Sequence, residues 1–334
     1  MSKNVSINGF GRIGRQAFKA ALDLPDLNIV AINDLMDIEV LVYLLKYDSV
    51  YGKYNKDITI KDNSIIIGNK TINILSEKEP EKLPWKEMNI DLVLECTGFF
   101  TERESAQKHL EAGAKKVVIS TNAKGGVKPL VVGVNENTYN PVKDDIIANG
   151  SCTTNGLSPI TKVLEDNFGV KQALMTTIHG YTSTQSLVDG PNNKDMRRGR
   201  AAAENLILTT TGAAKATCDV FTQLKGKFDG KSVRVPVPAV SLIDLTAVLD
   251  KEVEISEVNK TFTQAAEGEL KNILGVTSEP LVSTDFIGDT RASIVDLSST
   301  MAVQNLVKVF AWYDNEYGYA YNLAKTAEFV AQKI

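Results

Sequence analysis

Cysteine and histidine are scarce in these 334 residues: the cysteines are Cys96, Cys152 and Cys218, and the histidines are His109 and His179. Three cysteines without a Cys-x-x-Cys pair, and with no histidine at ligand spacing, exclude a disulfide framework and the usual zinc sites. At least one thiol must stay free, which suits a reducing, cytoplasmic setting. No apolar run reaches the ~18 residues of a membrane span. The first residues lead directly into the alternating Val5-Ser6-Ile7-Asn8, without the apolar core of a secretory signal. Excess positive charge is lacking too. With 37 Lys+Arg against 41 Asp+Glu the net charge is -4, so neither nucleic acid nor a membrane is an expected partner. A small-molecule substrate remains the default, on a chain whose length suits two globular domains.

What is present alternates. Short β-branched runs and helical patterns succeed one another over the first 150 residues: Val5–Asn8 then Ile13–Leu22, Ile29–Asn33 then Ile38–Lys46, Leu92–Glu95 then Thr101–Ala112, and Val117–Ser120. That succession predicts β-α-β units on a parallel sheet, an α/β fold. Beyond Ser151 a helix is expected from Thr153 to Phe168, and longer strands at Ala173–His179, Val233–Val237, Ser241–Leu249, Ser293–Leu297 and Leu306–Trp312. Tyr181–Arg200 is a long polar loop with basic residues Lys194, Arg197, Arg198 and Arg200, and loops of that length are usually functional. One amphipathic helix is expected from Tyr319 to Ile334.

Gly9-Phe10-Gly11-Arg12-Ile13-Gly14 follows the first strand and opens the first helix. Glycines in this spacing permit a tight turn and close backbone approach, and a helix N-terminus offers N–H groups to a pyrophosphate. Asp34 ends the second strand, where a carboxylate accepts from ribose hydroxyls and repels a 2′-phosphate. Leu35 follows it with no arginine, which favours NAD over NADP.

Cys152 stands in Asn149-Gly150-Ser151-Cys152-Thr153-Thr154-Asn155, just before an apolar-periodic helix whose N-terminal dipole end would favour a thiolate. Cys96 and Cys218 read as structural. A histidine base must be His109 or His179. His109 lies in the polar pattern Glu104–Glu111 and is expected to be solvated, whereas His179 ends a strand and precedes the long loop.

These residues resemble the phosphorylating glyceraldehyde-3-phosphate dehydrogenases along essentially the whole chain. The resemblance runs from Ile7–Arg15 through Ser151–Asn155, His179–Gln185, Thr211–Ala216 and Arg234-Val235-Pro236 to Trp312–Tyr319. It implies a doubly wound parallel-sheet NAD-binding domain at 1–151, an α+β mixed-sheet catalytic domain at 152–314, and a C-terminal helix at 315–334 returning to the first. It implies Cys152 as the nucleophile that forms a thiohemiacetal and then a thioester, and His179 as the general base. Thr182, Thr184, Arg198 and Arg234 would hold the substrate's phosphate, and Ser151, Thr153, Thr211 and Gly212 the attacking inorganic phosphate. Cofactor contacts carry over to Asn8, Gly9, Phe10, Gly11, Arg12, Ile13, Gly14, Asp34, Thr97, Gly98, Ser120 and Asn315, and a homotetramer is implied. Two places depart from the family pattern: Gly156 stands where many members carry a second cysteine, and the loop 121–128 lacks the commoner proline. The sister erythrose-4-phosphate dehydrogenase is the nearest alternative, although His179–Thr182 and Thr211–Lys215 resemble the glyceraldehyde enzyme more closely. A non-catalytic binding protein on the same fold is the alternative of another class; intact Cys152, His179 and Arg234 argue against it.

Overall fold

Apolar runs buried on both sides belong in the middle of a covered sheet. Residues 5–8, 31–33, 92–95 and 116–119 are such runs, with every residue buried. The computed structural model describes residues 2–334. The segment up to Gly150 together with Ala320–Ile334 forms one compact unit, and Ser151–Tyr319 the other.

The first unit begins β1 (Lys3–Asn8), α1 (Arg12–Ala21), β2 (Leu27–Asn33) and α2 (Ile38–Lys46). A meander follows, β3 (Thr59–Lys61), β4 (Ser64–Ile67) and β5 (Lys70–Leu75), then β6 (Leu92–Glu95), α3 (Arg103–Glu111), β7 (Lys116–Ile119), β8 (Lys128–Pro129) and β9 (Ile146–Ala148). The nine strands lie in the order β8-β9-β7-β6-β1-β2-β5-β4-β3. Pairing is parallel from β8 to β5 and antiparallel across β5-β4-β3. The antiparallel extension is an addition to the expected parallel sheet; it needs no crossover helix, and β3 is exposed throughout, so no burial pattern marks it. Phe18 of α1 and Leu41 and Leu45 of α2 pack in one core cluster, whereas Trp85 and Ala106 of α3 pack in another. Separate apolar layers of this kind are what double winding requires.

In the second unit α4 (Cys152–Phe168) leads into β10 (Val170–Gly180), β11 (Ile207–Thr210), α5 (Ala213–Val220), β12 (Phe228–Val235) and β13 (Ser241–Leu249). Then come α6 (Ile255–Glu267), β14 (Leu274–Thr277), β15 (Ser293–Asp296), β16 (Met301–Val303) and β17 (Leu306–Tyr313), after which α7 (Tyr317–Ala331) belongs from Ala320 onward to the first unit. The eight-stranded mixed sheet runs β11-β12-β10-β13-β17-β15-β14, with β16 on β17. β13 alternates buried and half-buried residues along its length, as a strand with one covered face does. The C-terminal helix starts two residues before the expected Tyr319. It is less amphipathic than expected, because polar Asn322, Thr326 and Glu328 are buried as well, with Thr326 Oγ1 donating to Asn149 Oδ1 at 2.6 Å. Among the described residues no helix is long and apolar enough to cross a membrane.

Candidate active site

Parallel pairing of β10 with β12 puts His179 opposite Arg234, 55 residues apart in sequence. Cys152 is the first residue of α4. Ser151 caps that helix, its Oγ accepting from Thr154 N–H at 3.1 Å, and Asn155 N–H is taken by Ser151 O. The N–H groups of Cys152 and Thr153 have no partner within the helix and act on the sulfur. Cys152 Sγ lies 3.4 Å from His179 Nε2.

The tautomer of His179 follows from its other nitrogen. Nδ1 is 2.7 Å from Gly180 O, an acceptor, and 3.1 Å from Arg234 Nη1, a donor; a proton on Nδ1 serves the shorter of the two contacts and turns the Nε2 lone pair toward the thiol. Arg234 Nη1 donates to Gly180 O at 3.2 Å and to Thr182 Oγ1 at 3.3 Å, and lies 3.1 Å from His179 Nδ1. Burial, and then the Arg234 guanidinium, push the His179 pKa down to about 3. Burial pushes the Cys152 thiol up, opposed by Arg234 and by hydrogen bonds from Thr153. Burial thus disfavours the charged form of each group. The N-terminal end of α4 and Arg234 favour a thiolate, and burial opposes them.

Cys152, His179, Arg234, Thr182 and Thr184 form one hydrogen-bonded set, with Thr182 and Thr184 hydroxyls 2.9 Å apart. Arg234 Nε is buried without a protein partner. Arg198 is more committed: Nε donates to Thr209 Oγ1 at 3.0 Å and Nη2 to Thr210 O at 3.3 Å. Thr211 Oγ1 accepts from Ala213 N–H where α5 begins, and Gly212 is that helix's N-cap. Two residues were missed from sequence. Tyr313 OH lies 2.8 Å from both Thr153 Oγ1 and Thr177 Oγ1 and its ring meets the His179 ring edge-on. Ser241 Oγ accepts from Gly180 N–H and donates to Asn315 Oδ1 at 2.9 Å. Nothing in local pattern marks either residue; strand register supplies both, since β13 sets Ser241 opposite Tyr313. Gly156 lies one turn along α4, where a Cβ would come within 3.0 Å of Ile243 and 3.2 Å of Tyr313, so tight packing accompanies the absent cysteine.

In the first unit, a cavity of about 620 Å³ is lined by Asn8, Gly9, Gly11, Asp34, Leu35 and Thr97, among others. Gly9 has φ +92°, and a Cβ there would lie 2.6 Å from Thr97 N; one on Gly14 would lie 2.0 Å from Gly9 O. Gly11 caps α1 without a side chain. A dinucleotide fits these features: uncapped N–H groups suit a pyrophosphate, and Asp34 is a carboxylate on the cavity wall. The Asp34 carboxylate is itself placed by Phe10 N–H at 2.6 Å and Met36 N–H at 3.0 Å. Gly98 is exposed and Ser120 half-buried beyond β6 and β7, while Ile13 is half-buried on α1. Arg12 pairs with Asp48 at 2.6 Å. The side chains of Asn8 and Phe10 are buried and engaged elsewhere, so only their backbone can meet a ligand. His109 is fully buried, against the expected solvated position, because Trp85 and Glu95 bond its two ring nitrogens.

Two family models match the chain: the glyceraldehyde 3-phosphate dehydrogenase NAD binding domain at residues 3–103 and the C-terminal domain at residues 151–315. The chain is 51% identical over its whole length to a glyceraldehyde-3-phosphate dehydrogenase of Geobacillus stearothermophilus, covering 99% of that protein. It is 50% identical to glyceraldehyde-3-phosphate dehydrogenase 1 of Bacillus subtilis at the same coverage. Identity to the Bacteroides fragilis enzyme is 47%, over 98% of this chain and 99% of that one.

Proposed function

The chain belongs to the glyceraldehyde-3-phosphate dehydrogenase family, and on that premise we propose Cys152 as the nucleophile and His179 as the general base of its reaction. It is an NAD-dependent oxidoreductase of glycolysis and gluconeogenesis that converts D-glyceraldehyde 3-phosphate and inorganic phosphate to 1,3-bisphosphoglycerate. The observation that carries the assignment is the 3.4 Å approach of His179 Nε2 to the Cys152 sulfur.

His179 Nε2 takes the thiol proton, and the sulfur adds to the aldehyde carbon. The same nitrogen returns the proton to the carbonyl oxygen, giving a thiohemiacetal. The N–H groups at Cys152 and Thr153 and the His179 ring stabilise that oxygen while it is charged. Bound NAD supplies the two-electron acceptor for oxidation of this adduct. His179 removes the hydroxyl proton in that step, leaving a thioester on Cys152. Arg234, Thr182, Thr184 and Arg198 hold the substrate's phosphate, and Ser151, Thr153, Thr211 and Gly212 hold the phosphate that displaces Cys152. An anion on Arg234 also offsets the guanidinium charge, the smaller of the two main causes that depress His179, burial being the larger. Gly9–Gly14, Asp34, Thr97, Gly98 and Ser120 hold the adenosine and pyrophosphate of NAD. Asn315, its Oδ1 fixed by Ser241, presents its amide to the nicotinamide.

The assembly is a homotetramer in the cytoplasm. On the second unit's sheet Leu174, Val303 and Leu306 are exposed, an apolar set suited to a second copy of the chain. NADH formation should require both D-glyceraldehyde 3-phosphate and phosphate or arsenate; equal rates without either anion, or faster turnover of erythrose 4-phosphate, would sink the assignment.

A further inference from the structure

Of the two histidines, His109 has no part in the chemistry above, yet it is fully buried. We propose that His109 is a positioning residue for the dinucleotide cavity: held in one tautomer by Trp85, it fixes Glu95, and Glu95 ties together the walls between which the adenosine end of NAD binds. The proposal rests on the NAD assignment.

Trp85 Nε1–H is an obligate donor and points at His109 Nδ1 from 3.1 Å. Nδ1 must therefore be bare and the ring proton must sit on Nε2, which donates to Glu95 Oε2 at 3.1 Å. Glu95 is buried and its carboxylate is fully engaged: Oε2 also accepts from Asn8 Nδ2 at 2.6 Å, and Oε1 accepts from Thr97 N–H at 2.7 Å and from the Thr97 hydroxyl. From this carboxylate two branches run to the cavity. One is the Thr97–Phe100 turn, where Thr97 Oγ1 accepts from Phe99 N–H and the Phe100 ring meets His109 edge-on. The other passes from Asn8 Oδ1 to Asn33 Nδ2 at 2.7 Å, and from Asn33 Oδ1 to Glu77 N–H at 2.9 Å. Thr97, Phe99, Phe100, Asn33 and Glu77 all line the cavity. One connected chain of hydrogen bonds thus spans its floor, and the Thr97 turn presses on Gly9 so closely that a Cβ there would clash.

A carboxylate with one donor removed in a low-dielectric floor reorients or takes up water, and the turn it anchors moves with it. His109→Leu removes the donor; His109→Gln returns an N–H near the Nε2 position; Trp85→Phe removes only the contact that selects the tautomer. NAD affinity is read by titration calorimetry on the intact protein, beside KM and kcat and the alkylation rate of Cys152 without cofactor. His109→Leu should weaken NAD binding roughly tenfold, the order of one lost hydrogen bond, raise the KM for NAD, and spare kcat at saturating NAD and the alkylation rate. His109→Gln should recover most of the affinity, and Trp85→Phe should weaken it in the same direction. Wild-type affinity in Trp85→Phe, or a His109→Gln variant no better than His109→Leu, overturns the proposal. Should His109→Leu not fold, Trp85→Phe carries the test on its own criterion. A wild-type protein that fails to bind NAD would instead remove the NAD assignment.

Discussion

At Cys152 and His179 a half-buried thiol and a buried imidazole face each other, and burial disfavours the charged form of both. His179, lowered to about 3, is a poor proton acceptor in the resting protein, and the Cys152 thiol is raised by burial. The Arg234 cation supports the thiolate, so reactivity toward alkylating agents should track Arg234 rather than His179. Alkylation of Cys152 should climb from about pH 6 to about pH 10 without levelling near neutrality, as expected for a thiol above its usual range. Arg234→Gln should slow alkylation at neutral pH; a neutral plateau in the wild-type profile, or an unaffected Arg234→Gln, would mean a preformed ion pair. Cys96, raised to about 12 by burial and Glu95, and Cys218, also raised, should label last. His179→Asn should keep the fold and NAD binding and lose about 10²–10⁴-fold in kcat; normal turnover would exclude His179 as base. That Cys152 and His179 would meet was legible, because scarcity of histidine narrowed the choice to two, and the structure brings them to 3.4 Å. The burial of His109 was not: its neighbours Glu104, Lys108 and Glu111 are polar, and the partners that bury it, Trp85 and Glu95, lie 24 and 14 residues away.

At the scale of elements, α4 and β2 do most of the positioning. Ser151→Ala deletes the cap on α4 and should cost about 1 kcal/mol by chemical denaturation, with slower Cys152 alkylation in phosphate-free buffer as the turn frays; an unchanged midpoint and rate would deny the cap any part in placing the sulfur. The end of β2 sets cofactor choice: NAD should be used far better than NADP, and Asp34→Ala should narrow that gap in kcat/KM. Strong periodicity made α4, β13 and β17 legible to within a residue or so, since each alternates or repeats over many positions. β3–β5, β8, β9, β11, β14 and β16 went unassigned, being short pieces whose place is fixed by the sheet they join, and so did the helices α5 and α6. Tyr313 and Ser241 belong here also, for their roles come from β13–β17 register and no local motif announces them.

For the whole molecule, the buried neutral His179 couples folding to pH. Its unfolded pKa is about 6.5 and its folded value about 3, so between these values the unfolded chain binds a proton that the folded one does not. The contribution is fully present above the unfolded value and is lost as pH falls through the window, at no more than about 1.4 kcal/mol per pH unit. His179→Asn should flatten that part of the acid-denaturation curve, measured by denaturant titration at several pH values. Two-domain α/β architecture was readable because strand and helix patterns alternate up to about residue 150 and lengthen afterwards; the antiparallel meander was not, lying where alternation is weakest. The central claim is that oxidation passes through an acyl group on Cys152 that phosphate removes. Incubation with NAD and D-glyceraldehyde 3-phosphate in phosphate-free buffer, acid quench and peptide mass analysis should find a 3-phosphoglyceroyl thioester on Cys152, discharged by inorganic phosphate. An adduct on Cys96 or Cys218, or NADH formed with no acyl group on any thiol, would contradict it.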